Sequence, residues 1–342
     1  MKTLGVLLLL AVAAAAVPMP AGAVERWYSN GIYPRIQSMM TTATNHIPIA
    51  LLDVAAAILI AVGLVWFVRR ARSIGAPRAL LRGGVCVVSC AAALYLLFLG
   101  LWGLNYRRVP LERKLDYEQS RVTRDAAMAL ANTAADFMNR GYPAAHAVTT
   151  NLRLLEAPFA EVQRALGAQR DAVPGVPKRS VLTWYFRRGA IDGMTDPFFL
   201  EIIVNPEVLE IERPFVVAHE WAHLAGYADE SEANFLAWLT CVRADPLAQY
   251  SGWVSAYEHA ARALPREDRR ALTPLDPGPR EDLRMIAARY ERSSPVVRRA
   301  ASRLNDGYLR ANRVAEGIRS YEAVLRLMLG TRFDPGWTPK AR

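Results

Sequence analysis

Histidine, cysteine and lysine are all scarce in this chain, at five, three and four among 342 residues. Three cysteines spread along the sequence exclude a disulfide framework. Cys86 and Cys90 stand four apart in a stretch too apolar for a structural zinc site, and Cys241 stands alone. All three read as small buried residues. Positive charge is almost entirely arginine, yet no arginine–aromatic constellation of the kind that grips nucleic acid is present, so no nucleic-acid partner is expected. Internal repeats and low-complexity tracts are also missing.

Charge is sparse in the first hundred residues, and long uncharged runs take its place. Leu4 to Ala23 follows Lys2 and ends in Ala21-Gly22-Ala23. Residues 1–24 therefore read either as a cleaved signal peptide or as a first membrane anchor, since about 20 apolar residues suffice to cross a bilayer. Residues 47–68 form a second span, interrupted only by Asp53 near one end, which is read as an interfacial carboxylate. Residues 83–104 form a third, with Trp102 and Tyr106 suited to the lipid–water boundary. Between the last two spans lie Arg69, Arg70, Arg72, Arg78 and Arg82 with no acid among them. By the positive-inside rule this turn is cytoplasmic, and residues 105–342 form an extracytoplasmic domain, facing the periplasm if there is an outer membrane. The net charge of +10 resides largely in that turn: residues 1–104 hold eight basic and two acidic side chains, the remainder 34 and 30.

Two of the five histidines fall in His219-Glu220-Trp221-Ala222-His223. Residues at i and i+4 lie one above the other on a helix, so both imidazoles can reach one ion. Glu220 then points to where a water held by the ion would sit, and can take its proton. The plainer alternative is an amphipathic helix that happens to carry two polar histidines. Pro214 suits the first turn, Phe215 to Leu224 reads as continuous helix, and Gly226 supplies the stop. No Cys or further His lies nearby to close a structural site; carboxylates do. Two His, one acid and an open position describe catalytic Zn2+.

The third ligand is one of three acids. Glu230 shares a helical face with Asn234, so Glu230 can bind zinc while Asn234 hydrogen-bonds a ligand. Asp229 would complete a His-Glu-x-x-His-x-x-Gly-x-x-Asp pattern. Glu232 points about 200° from Glu230 on an ideal helix and cannot serve beside it. Each could instead be a helix-start carboxylate favoured by the macrodipole.

The stretch His219 to Leu239 resembles the zinc-binding segment of a bacterial family of membrane-anchored HExxH proteins, known mainly as a domain of unknown function. More distantly it is similar to the gluzincin metallopeptidases, in which the third ligand is a Glu followed four residues later by an Asp; here Asn234 stands in the Asp position. Trp102 to Arg108, Pro197 to Asn205 and Tyr308 to Tyr321 extend the first resemblance over most of the chain. It implies a peptidase acting on protein or peptide substrates and names no particular one.

The rest of the domain reads as mostly helical with a small β-sheet, an α+β zincin-like architecture. Helices are expected over Arg121–Asn139, Asn151–Leu166 (broken around Pro158), Gly252–Leu264, Arg280–Tyr290, Pro295–Leu304 and Ala315–Leu329. Ser180–Phe186 and Phe198–Val204 read as strands. By analogy with gluzincins, the strand Phe198 to Asn205 would be the cleft edge to which an extended peptide adds. Tyr308, Arg319 and Tyr321 are candidates for stabilising the oxyanion, and His146 and His259 are read as structural.

The expectation is a membrane-anchored zinc peptidase, with Glu220 as general base, in contact with the lipid bilayer. The competing expectation is a catalytically silent membrane protein that carries zinc and binds envelope components. Intramembrane proteolysis fits poorly, because Arg213, Asp229 and Glu230 flank the motif outside any apolar span.

Overall fold

The computed structural model describes residues 2–312 and 320–342. The chain begins with α1 (Lys2–Ala16), breaks at Pro18 and Pro20, and resumes as the short α2 (Ala21–Ala23), a π-helical stretch to Ile32, and α3 (Tyr33–Asn45). The two halves are bent by 107°. Then come α4 (Leu51–Ile74) and α5 (Ala76–Leu101), folded back on each other at Gly75. Gly75 sits at φ 81, ψ 150, a conformation that excludes a side chain. Beyond the turn, the Trp66 ring lies 3.6 Å from the place a Cβ on Gly83 would take.

α4 and α5 are each long and apolar enough to cross a membrane; among the described residues a third crossing requires that the bent pair containing α1 be one span. Both helices run further into the turn than expected and stop three or four residues short at their other ends. Arg69, Arg70 and Arg72 lie in the last turns of α4, and Arg78 and Arg82 in the first turns of α5, so the expected loop shrinks to one glycine. Cys86 and Cys90 are exposed on α5 rather than buried, whereas Cys241 is buried.

The remainder is mainly helical with small sheets, matching the α+β expectation. Its elements are α6 (Leu111–Lys114), α7 (Arg124–His146), α8 (Arg153–Ala165), β1 (Pro177–Lys178), α9 (Thr183–Gly189), β2 (Gly193–Asp196) and β3 (Glu201–Val204). After these come α10 (Arg213–Leu224), α11 (Glu230–Cys241), α12 (Pro246–Ala263), α13 (Arg266–Ala271), α14 (Pro277–Glu291), α15 (Pro295–Ala311) and α16 (Ser320–Gly330). A terminal ribbon pairs β4 (Phe333–Asp334) with β5 (Thr338–Pro339). α11 is the core helix: every residue from Ser231 to Cys241 is buried, with α10, α12, α8 and α16 packed around it. Such a helix, apolar nearly all round, is stable only inside other helices.

Three expectations of secondary structure fail. Ser180–Phe186 is not a strand; its end is helix α9. Ser180 Oγ accepts from Leu182 N–H at 2.9 Å while Asp53 accepts from Ser180 Oγ (2.7 Å) and Val181 N–H (2.9 Å), so polar groups at the start of the segment nucleate a turn that overrides β-propensity. Phe198–Val204 is strand only from Glu201. Before it, Asp196 accepts from the Phe198 N–H (2.9 Å) and Leu200 adopts φ 50, a turn. The helix around Pro158 is unbroken from Arg153 to Ala165.

The three-stranded sheet has order β1-β3-β2, with β1 parallel and β2 antiparallel to β3. β3 is therefore central, and the expected edge strand is not the edge. β2 takes that place, in register Gly193↔Val204 through Asp196↔Glu201. Beneath the sheet, Lys178 and Glu201 form a buried ion pair at 2.6 Å, and Glu201 Oε1 also accepts from Leu52 N–H (3.1 Å) at the start of α4.

Candidate metal centre

α10 begins with Pro214 in its first turn and ends at Gly226, φ 83, where Tyr227 N–H bonds Ala222 O at 3.0 Å. The last carbonyls of a helix lack intrahelical partners. Here distant residues supply them: Trp102 Nε1–H donates to His223 O (2.9 Å), Tyr33 Oη–H to Leu224 O (2.7 Å), and Arg108 to Gly226 O (3.0 Å). Trp221, on the opposite side, donates to Gly175 O at 2.8 Å. α10 is thereby held along its length before any ligand is considered.

His219 and His223 project from one face, and α11 brings Glu230 against them. His219 Nε2 and His223 Nε2 are 3.0 Å apart; Glu230 Oε2 is 3.3 Å from the first and 3.6 Å from the second. His223 Nδ1 faces the Tyr227 carbonyl at 2.8 Å, and a carbonyl only accepts, so the proton is on Nδ1 and Nε2 offers a lone pair. His219 Nδ1 meets Asn234 Oδ1 at 2.8 Å, which assigns it the same tautomer. With both rings neutral, two lone pairs then face each other, an arrangement that a shared proton or a metal cation relieves. Glu230 Oε2 is buried and makes no hydrogen bond of good geometry. Tetrahedral zinc, with bonds of about 2.0–2.1 Å, places its ligand atoms about 3.3 Å apart, close to all three separations. The residues fit the ion. Among the described residues these three form the one His/Cys/Asp/Glu group close enough to hold a metal.

The competing acids are engaged elsewhere. Asp229 caps α11, accepting from Ser231 N–H (2.8 Å), Glu232 N–H (3.4 Å) and the Ser231 hydroxyl. Glu232 turns away and accepts from Leu111 N–H at 2.7 Å. Burial pushes its carboxyl up to about 7, Asp229 adding to the rise and Arg108 opposing it.

Glu220 is 4 % exposed. Its Oε2 accepts from the Thr195 hydroxyl at 2.8 Å, and Gly193 leaves the space its carboxylate occupies. Burial raises the Glu220 pKa, against the charges of His219 and His223 and the Thr195 hydrogen bond. Burial alone lowers the His223 pKa, but Glu230 outweighs it and carries the value up to about 9. Burial likewise works against an ionised Glu230, yet the two imidazoles hold it far below the usual carboxylate range.

Tyr308 is exposed on one side and edge-on to Phe98 and Tyr106. Tyr106 packs on Trp102, and Trp102 on His223, so an aromatic chain joins Tyr308 to the centre. Arg319 and the side chain of Tyr321 lie outside the described residues. His146 pairs with Asp282 at 3.0 Å. His259 is lowered to about 4, by burial first and then by the charge of Arg262.

Sequence reasoning missed Gly193, Thr195 and Arg289. Arg289 on α14 bonds Asp192 (2.6 Å), just before β2, and Glu212 (3.0 and 2.6 Å), just before α10. It ties the edge strand to the histidine helix, and nothing in its local sequence marks that role.

No curated protein and no solved structure shows significant similarity to the chain. Residues 28–329 match the family described as a protein of unknown function, DUF3810. That span includes α4, α5, both helices of the centre and the strand beside them, and the chain belongs to the DUF3810 family.

Proposed function

We propose that the protein is a membrane-anchored zinc peptidase of the gluzincin type, with its domain on the extracytoplasmic side of a bacterial plasma membrane. The observation that carries this reading is the convergence of His219 Nε2, His223 Nε2 and Glu230 Oε2 within 3.6 Å, with the Glu220 carboxylate beside them. The arginine-bearing turn between α4 and α5 supports the orientation. Zinc, when bound, supplies Lewis acidity that activates water and polarises a carbonyl.

The chain's own residues do the rest. Asn234 and the Tyr227 carbonyl hold the imidazoles in the ligating tautomer. Glu220, desolvated and therefore a stronger base than a surface glutamate, takes the proton of the attacking water and passes it to the leaving amine. Thr195 orients that carboxylate. β2, at the sheet edge and alongside Glu220, presents backbone groups to which an extended peptide can add. Trp102 and Tyr33 close the far end of α10.

Metal analysis of the full chain in detergent tests the reading. About one zinc per chain is expected, lost in His223→Ala. Glu220→Gln should keep the metal and lose cleavage of an unfolded test protein such as casein. Cleavage that survives Glu220→Gln removes Glu220 as base; a chain that takes up no zinc removes the reading.

A further inference from the structure

The outer ends of the two long apolar helices are joined by a surface that no part of the described protein covers. At the start of α4, Asp53 accepts from Val181 N–H at 2.9 Å, and Val181 is 80 % exposed. Three residues on, Trp184 of α9 is 62 % exposed, with the Arg188 guanidinium over its ring. α9 leads to α15: Ser294 N–H, at the α15 N-cap, bonds Arg188 O at 3.0 Å, and Gly189 lies against Ala301. The far end of α15 reaches the other membrane helix, where Tyr308 packs on Phe98 near the end of α5.

α15 has 17 residues and is about 25 Å long. With one end tied through α9 to the head of α4 and the other to the tail of α5, it runs across the ends of the apolar pair. Its exposed positions include Val296, Ala300, Leu304, Gly307, Tyr308 and Ala311, a stripe at helical spacing, with Leu304 70 % exposed. Beside the stripe stand Arg298, Arg299 and Arg303; the helix holds one acid, Asp306. Exposed apolar rows of this kind are costly in water, about 25 cal/mol per Å2. An apolar stripe edged by arginine is what a helix lying in a bilayer interface presents, and an exposed tryptophan at the mouth of a span is the usual interfacial anchor.

We infer that α9 and α15 form a collar immersed in the phospholipid headgroup layer on the domain's side. Val181, Trp184, Leu304 and Tyr308 enter the acyl boundary, and Arg298, Arg299 and Arg303 meet lipid phosphates. Continuity with α4 and α5 at both ends, together with the charge of the helix, selects the bilayer over a protein partner. Because Trp102, directly after α5, bonds His223, the collar also sets the height of the histidine pair above the lipid.

Nitroxide labels test this independently of any enzymatic activity. Full-length Leu304→Cys and Trp184→Cys, each in a Cys86→Ala/Cys90→Ala background, are labelled and placed in nanodiscs of phosphatidylethanolamine and phosphatidylglycerol. Glu281→Cys, at an exposed position on α14, is the aqueous control. Labels at 304 and 184 should collide with oxygen several-fold more, relative to a water-soluble nickel chelate, than the label at 281. Ratios equal to the control overturn the inference, and so does shielding from both reagents, which would place a second copy of the chain on this face. Arg298→Glu/Arg299→Glu/Arg303→Glu should move the ratio at 304 toward the aqueous value with an unchanged thermal midpoint. An unaltered ratio removes the arginines from the proposal. Val296→Cys replaces either position if a labelled variant does not fold.

Discussion

Gly193 makes room for Glu220: a Cβ on Gly193 would stand 2.6 Å from Glu220 Oε1. The glycine lies in strand β2 without a positive φ, so its reason for being glycine is the neighbour and not the backbone. Gly193→Ala should displace the carboxylate while sparing its metal ligands. Overpacking of this kind costs about 1–3 kcal/mol. A shift of about 1 Å at a catalytic group costs about 100-fold in rate. The expected outcome is a small fall in thermal midpoint, full zinc content and a large loss of kcat. Unchanged turnover would detach Gly193 from the site.

Asn234→Ala removes the acceptor that fixes His219 Nδ1–H. Loss of such a partner typically weakens metal binding about 10- to 100-fold. Chelator competition should find zinc leaving the variant at correspondingly lower chelator concentration. Asn234→Asp should restore or exceed the original affinity, since a carboxylate accepts the same hydrogen bond more strongly.

Arg289→Met takes from Asp192 and Glu212 the cation they share, leaving the Tyr290 hydroxyl on one and the Leu209 N–H on the other. The guanidinium is 5 % exposed and bonds Asp192 and Glu212 together. Removing one partner of a buried ionic network costs about 3–5 kcal/mol. A strong fall in thermal midpoint is expected, with Arg289→Lys intermediate because one ammonium cannot span both acids with the same fork. A midpoint unmoved by Arg289→Met would show that β2 and α10 are aligned by other contacts.

Asp196, the last residue of β2, gives a pH signature of its own. Burial raises its carboxyl to about 6 from 3.8, Glu201 adding to the rise and the Phe198 N–H opposing it. The folded state then binds more protons than the unfolded state between those values. Its contribution to stability is full below about 4 and is lost as pH rises through about 6, a change of about 3 kcal/mol at most. The stability difference between the wild type and Asp196→Asn should shift in the variant's favour over that window. A difference flat between pH 4 and 7 would mean that Asp196 titrates normally.

The arrangement of the centre was legible where the geometry is local. His219 and His223 meet because four residues make about one helical turn, and Glu230 with Asn234 repeats the spacing on α11. The choice among Asp229, Glu230 and Glu232 was open until packing showed one capping a helix and another turned toward Leu111. The partners of α10 were not readable at all: Trp102 lies 121 residues from His223, and Tyr33 lies 191 residues from Leu224.

Local preference misled where remote groups intervened. Val181 to Phe186 has β-branched and aromatic residues, but Asp53, 128 residues away from Val181, holds the segment in a turn that continues as helix. Analogy with gluzincins put the cleft edge at the strand Phe198 to Asn205, which contains β3. All four β3 residues are buried, the mark of a central strand, whereas β2, equally long but more polar, borders the centre.

Periodicity and charge alone determined two long apolar helices joined by an arginine turn, a mostly helical domain, and a pair of imidazoles on one helical face. These depend on repeat lengths and on the energy of moving charge out of water, which neighbouring residues suffice to express. Tertiary structure decided which carboxylate reaches the imidazoles, which strand lines them, and how α10 is tied to the ends of the apolar helices. Those outcomes rest on side chains brought together by packing across more than a hundred residues, and no pattern within a single segment encodes them.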